Sequence, residues 1–321
     1  MGKIRSFSLI IGVAQAWAAM LTSAALTLSA CSTNAPPRTP SVAAVAAPNT
    51  AAASATLRLT YLGAAGWSVM SGSQTLLLDP YFTRVDVADP AQPLLPDQAA
   101  IARYAPSHAE YILVGHSHYD HLLDVPSIAA HTQATVVGSP STLSVARAAG
   151  IPEAHLRLAV PGKDLRLGEF LVRPLASLHS NTGEQFGTIS AQVTLPLASK
   201  DYQEGTTLAY LVSVTGHSIV FLDSANFDES ALSGVHADIA VIATALREKI
   251  PQYTCRVLKA LGQPNVVLPN HFDAHWQPFQ ARETRIEPEQ RDDLAKFTAE
   301  VAACAPTTRV IVPRTFEILS L

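Results

Sequence analysis

Charge is scarce in this chain. Only 15% of its 321 residues are Asp, Glu, Lys or Arg, while 48% are hydrophobic. That balance excludes a largely disordered chain and supplies apolar material for one large or two small cores. The formal charge is −4. With no basic excess to neutralise phosphates, a polycationic nucleic-acid binder is excluded. Cysteine is scarce too: Cys31, Cys255 and Cys304 are all there are. None lies in a C-x-x-C pattern, which excludes a cysteine-built zinc cluster. Cys255 and Cys304 are left as either a disulfide or two separate buried thiols.

Proline and charge are both missing from the first thirty residues, apart from Lys3 and Arg5. A basic start, a long apolar stretch and small residues at the end are the grammar of a signal peptide. Its length would also suit a membrane anchor. Leu28-Ser29-Ala30-Cys31 resembles the bacterial lipobox, in which the cysteine is lipidated and becomes the mature N-terminus. Residues 1–30 are therefore expected to be removed, taking the formal charge from −4 to −6. Residues 31–55, rich in Ala and carrying four prolines, read as a tether spanning at most about 80 Å. Lipidated Cys31 implies attachment to a membrane of the bacterial cell envelope. Ser32 behind it favours the outer membrane, by resemblance to lipoprotein sorting.

From Thr56 to the end the pattern is α/β, read as one domain over 56–321. "TLRLTYLG", with Leu57, Leu59 and Tyr61 on one face, "WSVMSG" and "QTLLLDP" predict three consecutive antiparallel strands. A short helix is expected near Gln98–Tyr104. "YILVG" is a buried-strand run. "SIAAHTQATVVGS" predicts a short helix and a strand, and "PSTLSVARAAG" a helix with a glycine stop. In the second half "LVRPLASLH", "TISAQVTLPL", "TTLAYLVSVTG", "HSIVFLDS", "ADIAVIAT" and "NVVLPN" read as strands, and "VTGHSIV" as a hairpin turn. "YTCRVLKALG" and "EPEQRDDLAKFTAEVAA" read as helices, and "RVIVPRTFEIL" as closing strand material.

Chemistry concentrates in "GHSHYDH", residues 115–121, directly behind the "YILV" strand. On extended backbone His116 and His118 point the same way, so two imidazoles can share one metal ion. Asp120 and His121 begin a new direction, the start of a helix, and can serve a second ion. Four nitrogen and oxygen ligands within six positions are far from a chance grouping. Of the remaining histidines, His108, His131, His155, His217 and His236 share no strand-end context with other ligand types and read as surface, turn or core residues.

"HSHYDH" matches H-x-H-x-D-H, and here the chain resembles the metallo-β-lactamase superfamily of metallohydrolases. The resemblance covers most of residues 57–275. It extends to "YLGAAGWSV" and "LLLDP", and "DPYF" and "NHFDAHW" look most like the subgroup containing the ascorbate-phosphate lactonase and the N-acyl-phosphatidylethanolamine phospholipase. It departs at "GAAGW", where many relatives carry a histidine. The resemblance implies a four-layer αβ/βα sandwich. It further implies that His116, His118 and His179 hold one metal, that Asp120, His121 and His271 hold another, and that Asp223 bridges them. His179, Asp223 and His271 each end an apolar run, as the first cluster does. Asp79 corresponds to a carboxylate behind a ligating imidazole.

The implied cofactors are two divalent ions, zinc above all, with manganese or iron as alternatives. The implied chemistry is a metal-bridging hydroxide attacking a small-molecule ester, lactone, amide or phosphodiester, with Asp120 orienting the nucleophile. His275 is a candidate proton donor or substrate contact, and Asp273, Trp276 and Tyr81 are candidate cleft residues. A non-hydrolytic di-iron redox protein and a metal-binding envelope lipoprotein without turnover are the other readings. Substrate choice is expected in residues 80–110 and 180–206.

Overall fold

The computed structural model describes residues 56–183 and 185–320. The signal, lipobox and tether readings fall outside them. No helix among the described residues is long and apolar enough to cross a membrane.

The alternation at the start of the chain builds the first sheet. β1 (Arg58–Gly63), β2 (Gly66–Ser71) and β3 (Gln74–Leu78) pair antiparallel in sequence order. β4 (Tyr111–Leu113), β5 (Thr135–Gly138) and β6 (Leu156–Leu158) then add in parallel. Side chains alternate across this sheet. Leu76, Leu78, Leu113 and Val137 face one core, together with Leu57, Leu59 and Tyr61, while Leu77, Ile112 and Val136 face another.

The second sheet follows in sequence. β7 (Leu165–Leu167), β8 (Phe170–Ala176), β9 (Leu208–Val214) and β10 (His217–Leu222) form an antiparallel run. β11 (Ile239–Ala243), β12 (Val266–Asn270) and the two-residue β13 (Arg309–Val310) extend it in parallel. The last strand, β14 (Ile318–Ser320), returns to pair with β1. Each sheet thus has seven strands. The hairpin between β9 and β10 turns at Thr215 and Gly216, both at positive φ.

Helices cover the outer faces. α1 (Gln98–Tyr104), the single-turn α2 (Tyr119–Leu122), α3 (Val125–Thr132) and α4 (Pro140–Ala148) follow the first-sheet strands. Ile101, Leu122, Ile128 and Val145 pack with Leu77, Ile112 and Val136. On the other side come the short α5 (Glu229–Leu232), α6 (Tyr253–Ala260) and α7 (Pro288–Cys304). Val257 and Leu258 of α6 and Phe297 and Val301 of α7 join the core that contains Val241 and Val267. The layers run helix, sheet, sheet, helix, a four-layer α/β sandwich. A disulfide between Cys255 and Cys304 ties α6 to α7, with the Cα atoms 5.3 Å apart.

One expected strand is absent. "TISAQVTLPL", residues 188–197, forms no strand. The strands before and after it, β8 and β9, pair with each other, so no ladder is left for it to join. Ile189 N instead donates to Ser141 Oγ, 3.0 Å away.

Candidate metal centre

The site forms where strand ends from both sheets meet. His116 follows β4, His179 lies three residues past β8, Asp223 directly follows β10, and His271 directly follows β12. Outside strand ends, side chains from distant segments can converge on one ligand. They floor a cleft of about 1080 Å³ whose walls include Val87, Pro90, Phe186, Leu246 and Trp276.

His116 and His118 lie on the extended link between β4 and α2. His116 Nε2 is 3.1 Å from His118 Nδ1. His179 closes a triangle, its ring 4.5 and 4.6 Å from those of His116 and His118. One ligand atom from each of the three lies within 4.8 Å of the others. His179 Nδ1 sits 2.7 Å from the Ser180 carbonyl. A carbonyl only accepts, so Nδ1 carries the proton and Nε2 keeps its lone pair for the site. Burial, aided by the neighbouring imidazoles, lowers His116 well below the usual histidine range and takes His118 down to about 4. These rings are neutral at pH 7, as metal ligation requires.

The second group centres on Asp120, in the first turn of α2. Its Oδ2 lies 3.1 Å from His271 Nε2, 3.7 Å from His275 Nε2 and 3.7 Å from His121 Nε2. Burial alone would raise this carboxyl, but His121, the hydrogen bond to His271 and the nearby His275 outweigh it and hold it well below its usual range. The ligand atoms of Asp120, His271 and His275 lie within 4.8 Å of one another. His121 instead groups with His116 and Asp223. His121 Nε2 nevertheless stands as near Asp120 Oδ2 as His275 Nε2 does, both at 3.7 Å, so the structure adds His275 to the residues that the resemblance implied.

Asp223 stands beside both His116 and His121. Its Oδ2 is 2.6 Å from His116 Nδ1 and 3.6 Å from His121 Nδ1. It meets His116 at Nδ1, the ring nitrogen that does not face His118. It fits there because residue 115 is glycine: a Cβ at Gly115 would come within 2.1 Å of Asp223 Oδ2. Asp79 closes the back of the site, with Oδ1 accepting from Gly115 N at 2.8 Å and Oδ2 3.2 Å from His121 Nδ1. Burial, with the charge of Asp79, keeps the Asp223 carboxyl well above its usual range. His121 goes the other way: burial opposes its charge, but Asp120 and Asp79 prevail and raise it to about 9.

The donor set fits divalent metal ions. Asp79, Asp120 and Asp223 are all buried. Among the described residues no Lys or Arg forms an ion pair with any of them; their ion-pair partners are imidazoles. Buried carboxylates need a counter-charge, and imidazole nitrogen with carboxylate oxygen is a donor set for zinc, manganese or iron.

The cleft candidates divide. Trp276 lines the cleft. Tyr81 does not: its ring is fully buried in the helix-side core, and its hydroxyl accepts from Val85 N at 2.9 Å. A large apolar ring behind a strand end finds more contact in the core than at the rim. Asp273 touches the cleft, but its carboxylate is engaged by Ala64 N and by Arg84. Arg84 was not legible in advance, because one arginine in a loop carries no sequence signal of burial. The same holds for Asp124, which accepts from Phe82 N, Thr83 N at 2.8 Å and the Thr83 hydroxyl, fixing the loop after β3.

The chain is similar to known proteins. A 267-residue alignment to a UPF0173 metal-dependent hydrolase of Pyrobaculum arsenaticum is 26% identical and covers 83% of this chain and all of the relative. Among solved structures, the metallo hydrolase Igni18 from Ignicoccus hospitalis superposes with a TM-score of 0.53 at 15% identity, over 83% of this chain and 98% of that one. CmlA, a diiron beta-hydroxylase from Streptomyces venezuelae, gives 0.55 at 14% identity, over 83% of this chain and 54% of its own. At such identities these two show the shared fold. The family model described as the beta-lactamase superfamily domain matches residues 74–288, which takes in strands of both sheets and every ligand candidate. The chain belongs to the beta-lactamase superfamily.

Proposed function

We propose that the chain is a metal-dependent hydrolase that acts with two divalent ions, zinc foremost, on a small ester, lactone, amide or phosphodiester. The observation that carries this reading is the pairing of two ligand groups, His116–His118–His179 and the set around Asp120, on the floor of one open cleft. A full-length relative named a metal-dependent hydrolase supports it.

Two such ions supply an activated water near neutral pH and charge stabilisation for the oxyanion and leaving group. The chain's own residues do the rest. His116, His118 and His179 present neutral nitrogens. Asp120, held ionised by its imidazole neighbours, would bind an ion through Oδ2 and leave its other oxygen to accept a proton from an attacking water. Asp79 and Asp223 keep the rings of His121 and His116 from turning. The cleft is at the upper end of ordinary small-molecule sites, which run to about 1000 Å³. With Val87, Pro90, Phe186, Leu246 and Trp276 on its walls, it suits a substrate with an apolar body beside the cleaved bond, as a phospholipase's substrate has.

The same proposal includes the N-terminus: residues 1–30 as a signal, Cys31 as the lipidated residue, 31–55 as a tether and 56–321 as the hydrolase domain, facing the periplasm or surface from the outer membrane. Detergent phase partitioning tests it, with wild type in the detergent phase and Cys31→Ser in the aqueous phase. The activity itself is tested by screening the zinc-loaded chain against lactones, esters, amides and phosphodiesters beside His116→Ala. Turnover of one class, lost in the variant, is the expected result. No turnover of any class, with two ions bound, would refute the hydrolase reading.

A further inference from the structure

The loop after β12 holds its side chains with unusual definition. His271 has φ +52°, a left-handed conformation that costs a β-carbon residue energy and persists only where its surroundings impose it. They do so here from several directions. His271 N donates to Ala64 O at 3.0 Å. Two residues on, the Asp273 carboxylate accepts from Ala64 N at 3.0 and 3.2 Å and from Arg84 Nη2 at 2.9 Å. Trp67 Nε1 donates to Asn270 Oδ1 at 3.0 Å, Ala274 N to Arg285 O at 2.8 Å, and His275 N to Asp273 O at 2.9 Å. The tight turn from Asn270 to His275 is therefore pinned to the β1–β2 turn and to the loop after β3. It aims two imidazoles, His271 and His275, at the same carboxylate.

The distances at that carboxylate separate a hydrogen bond from shared ligation. His275 Nε2 and Asp120 Oδ2 are 3.7 Å apart, too far for a hydrogen bond. Two ligands on one zinc ion, each bonded at about 2.0–2.1 Å, stand about 3.3 Å apart in a tetrahedral arrangement. The 3.1 Å from His271 and the 3.7 Å from His275 bracket that spacing, and His121 Nε2 stands at the same 3.7 Å. The ligand atoms of Asp120, His271 and His275 all fall within 4.8 Å of one another. The rings of His271 and His275 are 5.0 Å apart and nearly perpendicular, at 82°, so neither stacks on the other to bury its nitrogen.

We propose that His275 is a metal ligand, joining Asp120, His121 and His271 in holding the second ion. The assignment rests on the two-ion reading above and adds to it which residues hold that ion. His275 then binds the ion and is not free to act as the proton donor to the leaving group.

The test is metal binding by the full chain, stripped with a chelator and titrated with Zn²⁺ against a chromophoric competitor, then repeated with Co²⁺ to follow the visible ligand-field bands. Wild type is compared with His275→Ala, His275→Gln and His118→Ala, and thermal melts of the stripped chains verify the fold. Wild type should take up two ions. His275→Ala and His275→Gln should keep one ion at wild-type affinity and bind the other at least tenfold more weakly, with a weakened cobalt band for that ion. His118→Ala should lose the opposite ion. Two ions at unchanged affinity and an unchanged cobalt spectrum in both His275 variants would overturn the assignment. A wild-type chain that binds one ion would instead overturn the two-ion reading. The His275 variants then still decide: weakened affinity for that one ion upholds the ligand, and unchanged affinity removes it. A chain that binds none removes both. Should the alanine variant melt early, the glutamine variant carries the comparison.

Discussion

Arg84 Nη2 and Asp273 Oδ2 meet at 2.9 Å with both side chains wholly shielded from solvent. Phe279 covers the guanidinium from 4.3 Å, and the closeness of Arg84 leaves no room for a side chain at Gly63. The pair joins the loop after β3 to the loop that carries His271 and His275.

Breaking one half of a buried pair leaves an uncompensated charge, at a cost of about 3–5 kcal/mol. Asp273→Asn and Arg84→Met should each lower the urea midpoint of the chain by an amount of that order. Their double variant should cost well under the sum, because the two changes remove one shared interaction. Strict additivity in a double-mutant cycle would show that the two residues act independently.

Gly115→Ala tests why Asp223 sits behind His116. The new methyl group would overlap the Asp223 carboxylate and push it off the His116 ring. Losing an oriented carboxylate behind a ligating histidine weakens metal affinity roughly 10–100-fold. The loss should fall on the ion held by His116, His118 and His179, read by zinc competition, with the other ion kept. Full retention of both ions would mean that Asp223 does not orient His116.

Asp124 makes a pH prediction. Burial raises its carboxyl to about 6, against the hydrogen bonds from Thr83 and Phe82 that lower it. An acid with a raised folded pKa keeps its proton in the native state while the unfolded chain has lost it. Its stabilising effect is therefore complete below about pH 4 and disappears as pH rises through 6, a change on the order of 3 kcal/mol. In the chelated chain, Asp124→Asn should lose this dependence. The stability gap between wild type and variant, measured in urea, should move in the variant's favour from pH 4 to pH 7. A gap independent of pH would show that folding leaves the Asp124 carboxyl at its unfolded pKa.

The Cys255–Cys304 bridge closes a loop of 49 residues, for which chain entropy predicts about 4 kcal/mol of stabilisation. The double variant Cys255→Ala/Cys304→Ala should melt earlier yet bind zinc as wild type does, since α6 and α7 hold none of the proposed ligands.

Much of the fold was legible because its signals are local. Leu57, Leu59 and Tyr61 alternate, and one face of β1 is buried accordingly. Asp97 caps α1 by accepting from Ala99 N and Ala100 N. The segment 188–197 misled because it alternates like a strand, and alternation says nothing about whether a neighbouring strand is free.

For the site, the sequence by itself determined that His116, His118, Asp120 and His121 stand together, since six positions of chain behind a strand leave side chains few places to go. It also marked His179, Asp223 and His271 as strand-end residues. Only the tertiary structure decided the groupings: Asp223 against His116 across 107 positions, and His271 and His275 gathered beside Asp120 and His121 across about 150. The reason is physical. Short-range order follows from backbone geometry that each residue carries, whereas the facing of one ring toward another depends on how two sheets pack and how the Ala64 and Asp273 contacts set the turn after β12.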